Sequence, residues 1–170
     1  HPGAQVDHLD LHAQPVPHLA ADGLGLRTGQ AAATAAEREQ NALSEQLVSQ
    51  FLAADVVVVG APMYNFSVPS QLKAWIDRVA QSGRTFRYTA NGPEGLAGGK
   101  RVIVLSTRGG QYAGMPFETA MDHQEAYLRG VFSFFGLLPE IDVVRAERLA
   151  MDRDANLATA KASLDELLET

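Results

Sequence analysis

Four consecutive β-branched residues, Val56 to Val59, most constrain what this 170-residue chain can become. A strand with one wet face alternates apolar and polar side chains. An unbroken valine run predicts instead a strand buried on both faces, the hallmark of a parallel sheet covered by helices. Arg101 to Ser106 reads the same way, and Ile141 to Val144 reads as a shorter third strand. Helical spacing fills the intervals. Leu43, Leu47 and Phe51, with Val48 and Leu52 beside them, follow a capping-box pattern from Thr34 to Glu37 and predict a helix to about Ala53. Leu72, Trp75, Ile76, Val79 and Ala80 form one stripe, with Pro69 suited to the first turn and Gly83 to the stop. Phe117 to Phe135 reads as a helix bounded by Pro116 and Gly136, and Leu157, Ala160, Leu164, Leu167 and Leu168 mark a closing amphipathic helix. Strand and helix alternate regularly. That predicts one doubly wound α/β domain over residues 1–170, in three layers with right-handed crossovers.

Other stretches sit around this frame. Val6 to Leu11 alternates, with His8 and Asp10 on one side and Leu9 and Leu11 on the other, which predicts an edge strand ended by Pro15 and Pro17. Gly23, Gly25 and Gly29 mark a flexible loop. Thr85 to Thr89 reads as extended, and Asn91 to Gly95 is dense in turn signals, so this part reads as a surface excursion.

Composition removes whole classes of chemistry. Without cysteine there is no disulfide, thiolate–zinc site, iron–sulfur cluster or cysteine nucleophile. A net charge of −6 with no Lys/Arg cluster argues against nucleic acid. No apolar run reaches the ~18 residues of a membrane span. The start His1-Pro2-Gly3-Ala4 has no signal-peptide character and no initiator Met, so processing, trimming or an incomplete end is expected, and the cytoplasm is the expected location. His8, Asp10 and His12 are too few for a metal site and read as a solvated edge, so no metal is expected. Trp75 reads as core or interface, Asp77 and Arg78 as surface charges, and Asp152 and Asp154 as favourable partners of a helix N-terminus.

In such sheets ligands bind at the carboxyl ends of the strands. Two loops lie there. Ala61-Pro62-Met63-Tyr64-Asn65-Phe66-Ser67-Val68-Pro69 offers two aromatic rings, an amide and backbone N–H groups near a helix start, a set suited to a flat ring with polar edges. Ser106-Thr107-Arg108-Gly109-Gly110-Gln111-Tyr112 offers two glycines for close backbone approach, and N–H groups that, helped by Arg108, favour negative charge.

These loops carry a resemblance. Ala61 to Phe66 with the helix from Ser70 to Asp77, Thr85 to Leu96, and Ser106 to Gly110 resemble, in order, three motifs of the FMN-dependent NADH-azoreductase and NADH:quinone oxidoreductase family. The likeness spans most of the chain and is densest from Ala61 to Gly110. It implies a flavodoxin-like fold and a homodimer with a flavin site at each end of the interface. It implies hydride transfer from NADH to FMN and then, in ping-pong order, to a quinone or azo compound. It implies that Met63, Tyr64, Asn65 and Phe66 contact the isoalloxazine, that Thr107, Arg108, Gly109 and Gly110 line its other edge, and that Tyr88 and Phe134 wall the substrate pocket. The flavin carries the chemistry, so no catalytic acid or base is expected.

One departure stands out. The family opens with a buried strand, a serine-rich loop around the FMN phosphate and a helix, together roughly 30 residues by the size of a βαβ unit. None is present, so the first strand is expected to be absent from this sheet, leaving the Val6 strand without its neighbour and the Val56 strand with one open side. The segment belongs to the protein but lies outside this sequence, or is disordered, or is truly lost; the first is expected, and the third would abolish FMN affinity. Two other readings stay open: a flavodoxin-like electron-transfer module without nicotinamide chemistry, and a truncated inactive relative.

Overall fold

The computed structural model describes residues 3–138 and 141–169; His1 and Pro2 of the polar start lie outside them. After short 3-10 turns at Ala21–Gly23 and Gly25–Thr28, the chain forms α1 (Ala35–Ala53), β1 (Val56–Pro62), α2 (Ser70–Val79), β2 (Phe86–Thr89) and β3 (Gly92–Gly95). It continues through β4 (Arg101–Thr107), α3 (Glu118–Met121), α4 (His123–Phe134), β5 (Ile141–Ala146) and α5 (Arg153–Glu169). The predicted Thr34 capping box is present: its hydroxyl accepts from the Glu37 N–H at 3.1 Å, and the Glu37 carboxylate accepts from the Thr34 N–H at 2.9 Å.

β1, β4 and β5 make a parallel sheet in the order β1-β4-β5, with Val57 opposite Val102 and Val104 opposite Val143. One face, through Val59, Ala61, Val102 and Val104, packs on α1, α2 and α4. Phe51 anchors that core, with Trp75 edge-on at 5.9 Å and Phe132 stacked at 6.5 Å, so Trp75 is core. The other face takes α5, where Val144, Ala146 and Ala160 form a second cluster. Helices on both faces of a parallel sheet make the doubly wound flavodoxin-like architecture expected.

Coverage differs from expectation at β1. Val56 and Val58 are 51% and 58% exposed, because α5 packs on β5 at the far edge of the sheet and leaves the β1 end of that face bare. Among the described residues β1 pairs on one side only, with β4, so its other edge is open. Val6 to Leu11 is not a strand. With no laddered neighbour an extended edge has nothing to hold it, and the Asp10 carboxylate instead accepts from the His12 and Ala13 N–H groups at 2.8 and 3.2 Å. Leu9 and Leu11 still pack against the core.

Four local expectations are also corrected. The helix from Phe117 to Phe135 is broken at Asp122, where ψ is 80° and the carboxylate caps α4 by accepting from the Glu125 N–H at 3.0 Å. Asn91 to Gly95 is half of a hairpin rather than only a turn: Phe86 pairs with Gly95 and Tyr88 with Pro93. α2 stops at Val79, before Gly83, and Pro69 caps it from one position ahead. Arg78 is buried, not a surface charge: its guanidinium donates to the Pro17 carbonyl at 3.1 Å and to Ser44 Oγ at 3.3 Å, fastening the 17–23 segment to α1 and α2. Asp77 stays at the surface, paired with Lys73 at 2.6 Å.

Candidate functional site

The parallel pairing of β1 and β4 delivers their following loops to the same end of the sheet. The Met63 N–H donates to the Thr107 carbonyl at 2.8 Å, which extends the ladder by one bond into both loops. Beyond it the chain folds sharply. Tyr64 and Ser67 exchange two backbone hydrogen bonds, 2.9 and 3.1 Å long. To close that turn, Asn65 and Phe66 adopt φ of 46° and 71°. The left-handed region costs an L residue about 1–2 kcal/mol, less for Asn than for Phe, and such strain gathers at ligand sites. The Phe66 carbonyl accepts from the His123 N–H at 3.0 Å, so the start of α4 holds the turn from behind.

The second loop is held by its carbonyls. Those of Arg108, Gly109 and Gly110 accept from Leu149, Ala150 and Arg148 at 3.1, 3.1 and 2.8 Å. The N–H groups of Asn65, Phe66, Gly109 and Gly110 donate to no acceptor among the described residues. Beside them lies an aromatic row, Phe66 edge-on to Tyr112 at 6.3 Å and Tyr112 edge-on to Phe117 at 6.2 Å. Free donors next to exposed rings suit a flat heterocycle with an electron-rich edge, so the residues present fit the ring end of FMN. Among the described residues, neither loop carries the serine-rich turn that the resemblance assigns to the phosphate.

Arg108 does not present its charge to this surface. Its guanidinium is fully buried, 2.6 Å from Asp122, 3.2 Å from Glu147 and 3.5 Å from Glu125. Only the backbone of Arg108 belongs to the loop face. Burial pushes the Glu125 carboxyl up, but hydrogen bonds and charge from Arg145 and Arg129 outweigh it and hold the group below the usual carboxylate range.

Tyr88 and Phe134 both pack on Phe86, with ring centres 5.5 and 4.5 Å from it. Phe134 ends α4, whose first residue meets Phe66, so the pair lies a helix length, roughly 16 Å, from the loop end. Tyr88 is 73% exposed. Asp122, Gln124, Glu147 and Tyr112 were not singled out from sequence, yet they support the site. Signals for two of them existed: Gln124 is a polar residue in line with Leu128 and Phe132 on a helix's apolar stripe, and Asp122-x-x-Glu125 is a cap pattern inside the expected helix. Among the described residues, no group of three or more acidic or histidine side chains is placed to hold a metal ion, and no helix is long and apolar enough to cross a membrane.

The open parallel sheet with paired loops at its carboxyl end defines a flavodoxin-like protein, and a family model described as flavodoxin-like fold matches residues 1–168. The chain belongs to that family, within its branch of FMN-dependent NADH:quinone oxidoreductases and azoreductases. It is 58% identical over 167 residues to the FMN-dependent NADH:quinone oxidoreductase of Delftia acidovorans, covering 98% of this chain and 78% of that protein. The enzyme of the same name from Polaromonas naphthalenivorans is 54% identical over 170 residues, covering 99% of this chain and 78% of the relative. Among solved structures, an azoreductase from Bacillus anthracis superposes with a TM-score of 0.84 at 31% identity, covering 98% of this chain and 80% of that one. An FMN-dependent NADH-azoreductase from the same species, in complex with FMN, superposes at 0.84 with 28% identity, covering 94% of this chain and 77% of that one.

Proposed function

We propose that this protein is an FMN-dependent NADH:quinone oxidoreductase with azoreductase activity. The observation that carries the reading is the pairing of two strand-end loops, joined through Met63 and Thr107, whose free N–H groups border an aromatic row. When bound, FMN supplies the hydride chemistry, accepting from NADH and passing electrons to a quinone or azo acceptor. Met63, Tyr64, Asn65 and Phe66 would hold one side of the ring. The N–H groups of Gly109 and Gly110 would meet the ring's electron-rich edge, and Thr107 and the Arg108 backbone would line the same loop. Hydride donor and acceptor would occupy this site in turn, a ping-pong order. No acid or base on the protein is required.

The separation of Tyr88 and Phe134 from the loops supports a homodimer. In one chain these rings lie a helix length away, so they wall a substrate pocket over the flavin only when a second copy brings them there. NADH is a cytoplasmic reductant, which supports a cytoplasmic enzyme.

The test is an absorption spectrum of the chain after FMN is added and the excess removed. A retained flavin band that bleaches with NADH and recovers with a quinone supports the oxidoreductase. A band that NADH leaves unchanged supports an electron-transfer module, and a protein that stays colourless even with a family-like N-terminal segment restored supports an inactive relative.

A further inference from the structure

We propose that Arg108 is a positioning residue that locks the two loops into one rigid unit through the N-terminus of α4. The inference rests on the reading of those loops as the flavin site. The guanidinium pairs with Asp122, which caps α4, and the next residue, His123, donates to the Phe66 carbonyl at the tip of the first loop. It also pairs with Glu147, whose Oε1 accepts from the Tyr112 and Ala113 N–H groups at 2.9 and 3.1 Å in the second loop. A further partner, Gln124, accepts from Arg108 at 3.4 Å and from Ser106 Oγ at 2.6 Å, while donating to the Ala61 carbonyl at 2.8 Å at the root of the first loop. Finally, the guanidinium carbon lies 5.9 Å from the centre of the Tyr112 ring, which itself packs on Phe66.

The chemistry requires arginine. A planar fork reaches several acceptors in fixed directions, whereas an ammonium is a point charge on a flexible stem. A lone buried cation would be costly. Here it is balanced: Arg108, Arg129 and Arg145 meet Asp122, Glu125 and Glu147 in one connected set. A buried ionic set of this kind contributes geometry more than net stability.

The test uses Arg108→Lys and Glu147→Gln in the full chain, with two readouts. The first is amide hydrogen exchange without FMN, read at Met63, Ser67 and His123, none of which touches either substituted side chain. Arg108→Lys should speed exchange there roughly tenfold, the equivalent of one charged hydrogen bond. Glu147→Gln, which alters only the far end of the network, should raise it several-fold. Unchanged exchange in the first loop with either folded variant overturns the coupling, and if the lysine variant does not fold, Glu147→Gln decides alone. The second readout is the FMN dissociation constant and flavin midpoint potential. Both should shift in Arg108→Lys if the rigid unit serves the flavin. Coupled exchange in a wild-type chain that takes no FMN even with a family-like N-terminal segment restored would leave the lock standing and sink the flavin reading instead.

Discussion

The backbone N–H of His123 donates to the carbonyl of Phe66 at 3.0 Å, which joins the first residue of α4 to a strained turn at the end of β1. Proline is well tolerated at the first position of a helix and lacks only that N–H. His123→Pro should therefore leave α4 intact, cost about 1 kcal/mol in urea unfolding, and weaken FMN binding about fivefold. An unchanged FMN dissociation constant would show that this bond does not hold the turn.

Phe66 stores strain and lends a ring. Phe66→Gly removes both, since glycine adopts a φ of 71° freely. Stability should hold level or rise by about 1 kcal/mol, while FMN affinity should fall about tenfold. Thermal unfolding and a fluorescence titration read the two effects separately. A variant that loses stability and keeps affinity would reverse the assignment.

Gly95 lies against the backbone of Gly136. A Cβ built on it would stand 2.1 Å from the Gly136 nitrogen, a distance neither main chain can accommodate without moving. Gly95→Ala should cost about 3 kcal/mol, as overpacking against rigid backbone does. It should also displace the β2–β3 hairpin that carries Tyr88, raising the KM for quinone more than it lowers FMN affinity. Equal effects on both would mean the hairpin does not wall the substrate pocket.

Glu125 titrates below the usual carboxylate range because Arg145 and Arg129 outweigh its burial. A folded value below the unfolded one contributes stability that is fully present above the unfolded value, ~4.3, and is lost as pH falls through the folded value. Glu125→Gln should flatten the pH dependence of unfolding below about pH 5. A mutant curve parallel to wild type would show that the ion pairs contribute nothing in the folded state.

Periodicity says what a segment is able to bury, not what stands ready to cover it. Val56 to Val59 correctly announced a parallel strand, yet two of its valines are bare because their cover depends on elements other than the valines. Val6 to Leu11 alternates well enough for a strand, but a strand is a property of a pair, and the pair is not there. The order of the two loops was legible because glycines, prolines and aromatics speak through local backbone chemistry. The direction of the Arg108 side chain was not, since its partners Asp122 and Glu147 are brought to it by α4 and β5. Arg78 was misread for the same reason: a charge in a helical stripe looks solvated until Pro17 and Ser44 arrive from elsewhere in the chain.

Hydrogen exchange of the backbone amides with and without FMN reads whether both loops meet the flavin. If the two loops form the flavin site, FMN should slow exchange at Asn65, Phe66, Gly109 and Gly110 together, amides that donate to no acceptor among the described residues. Protection that falls elsewhere, or on one loop alone, would contradict it.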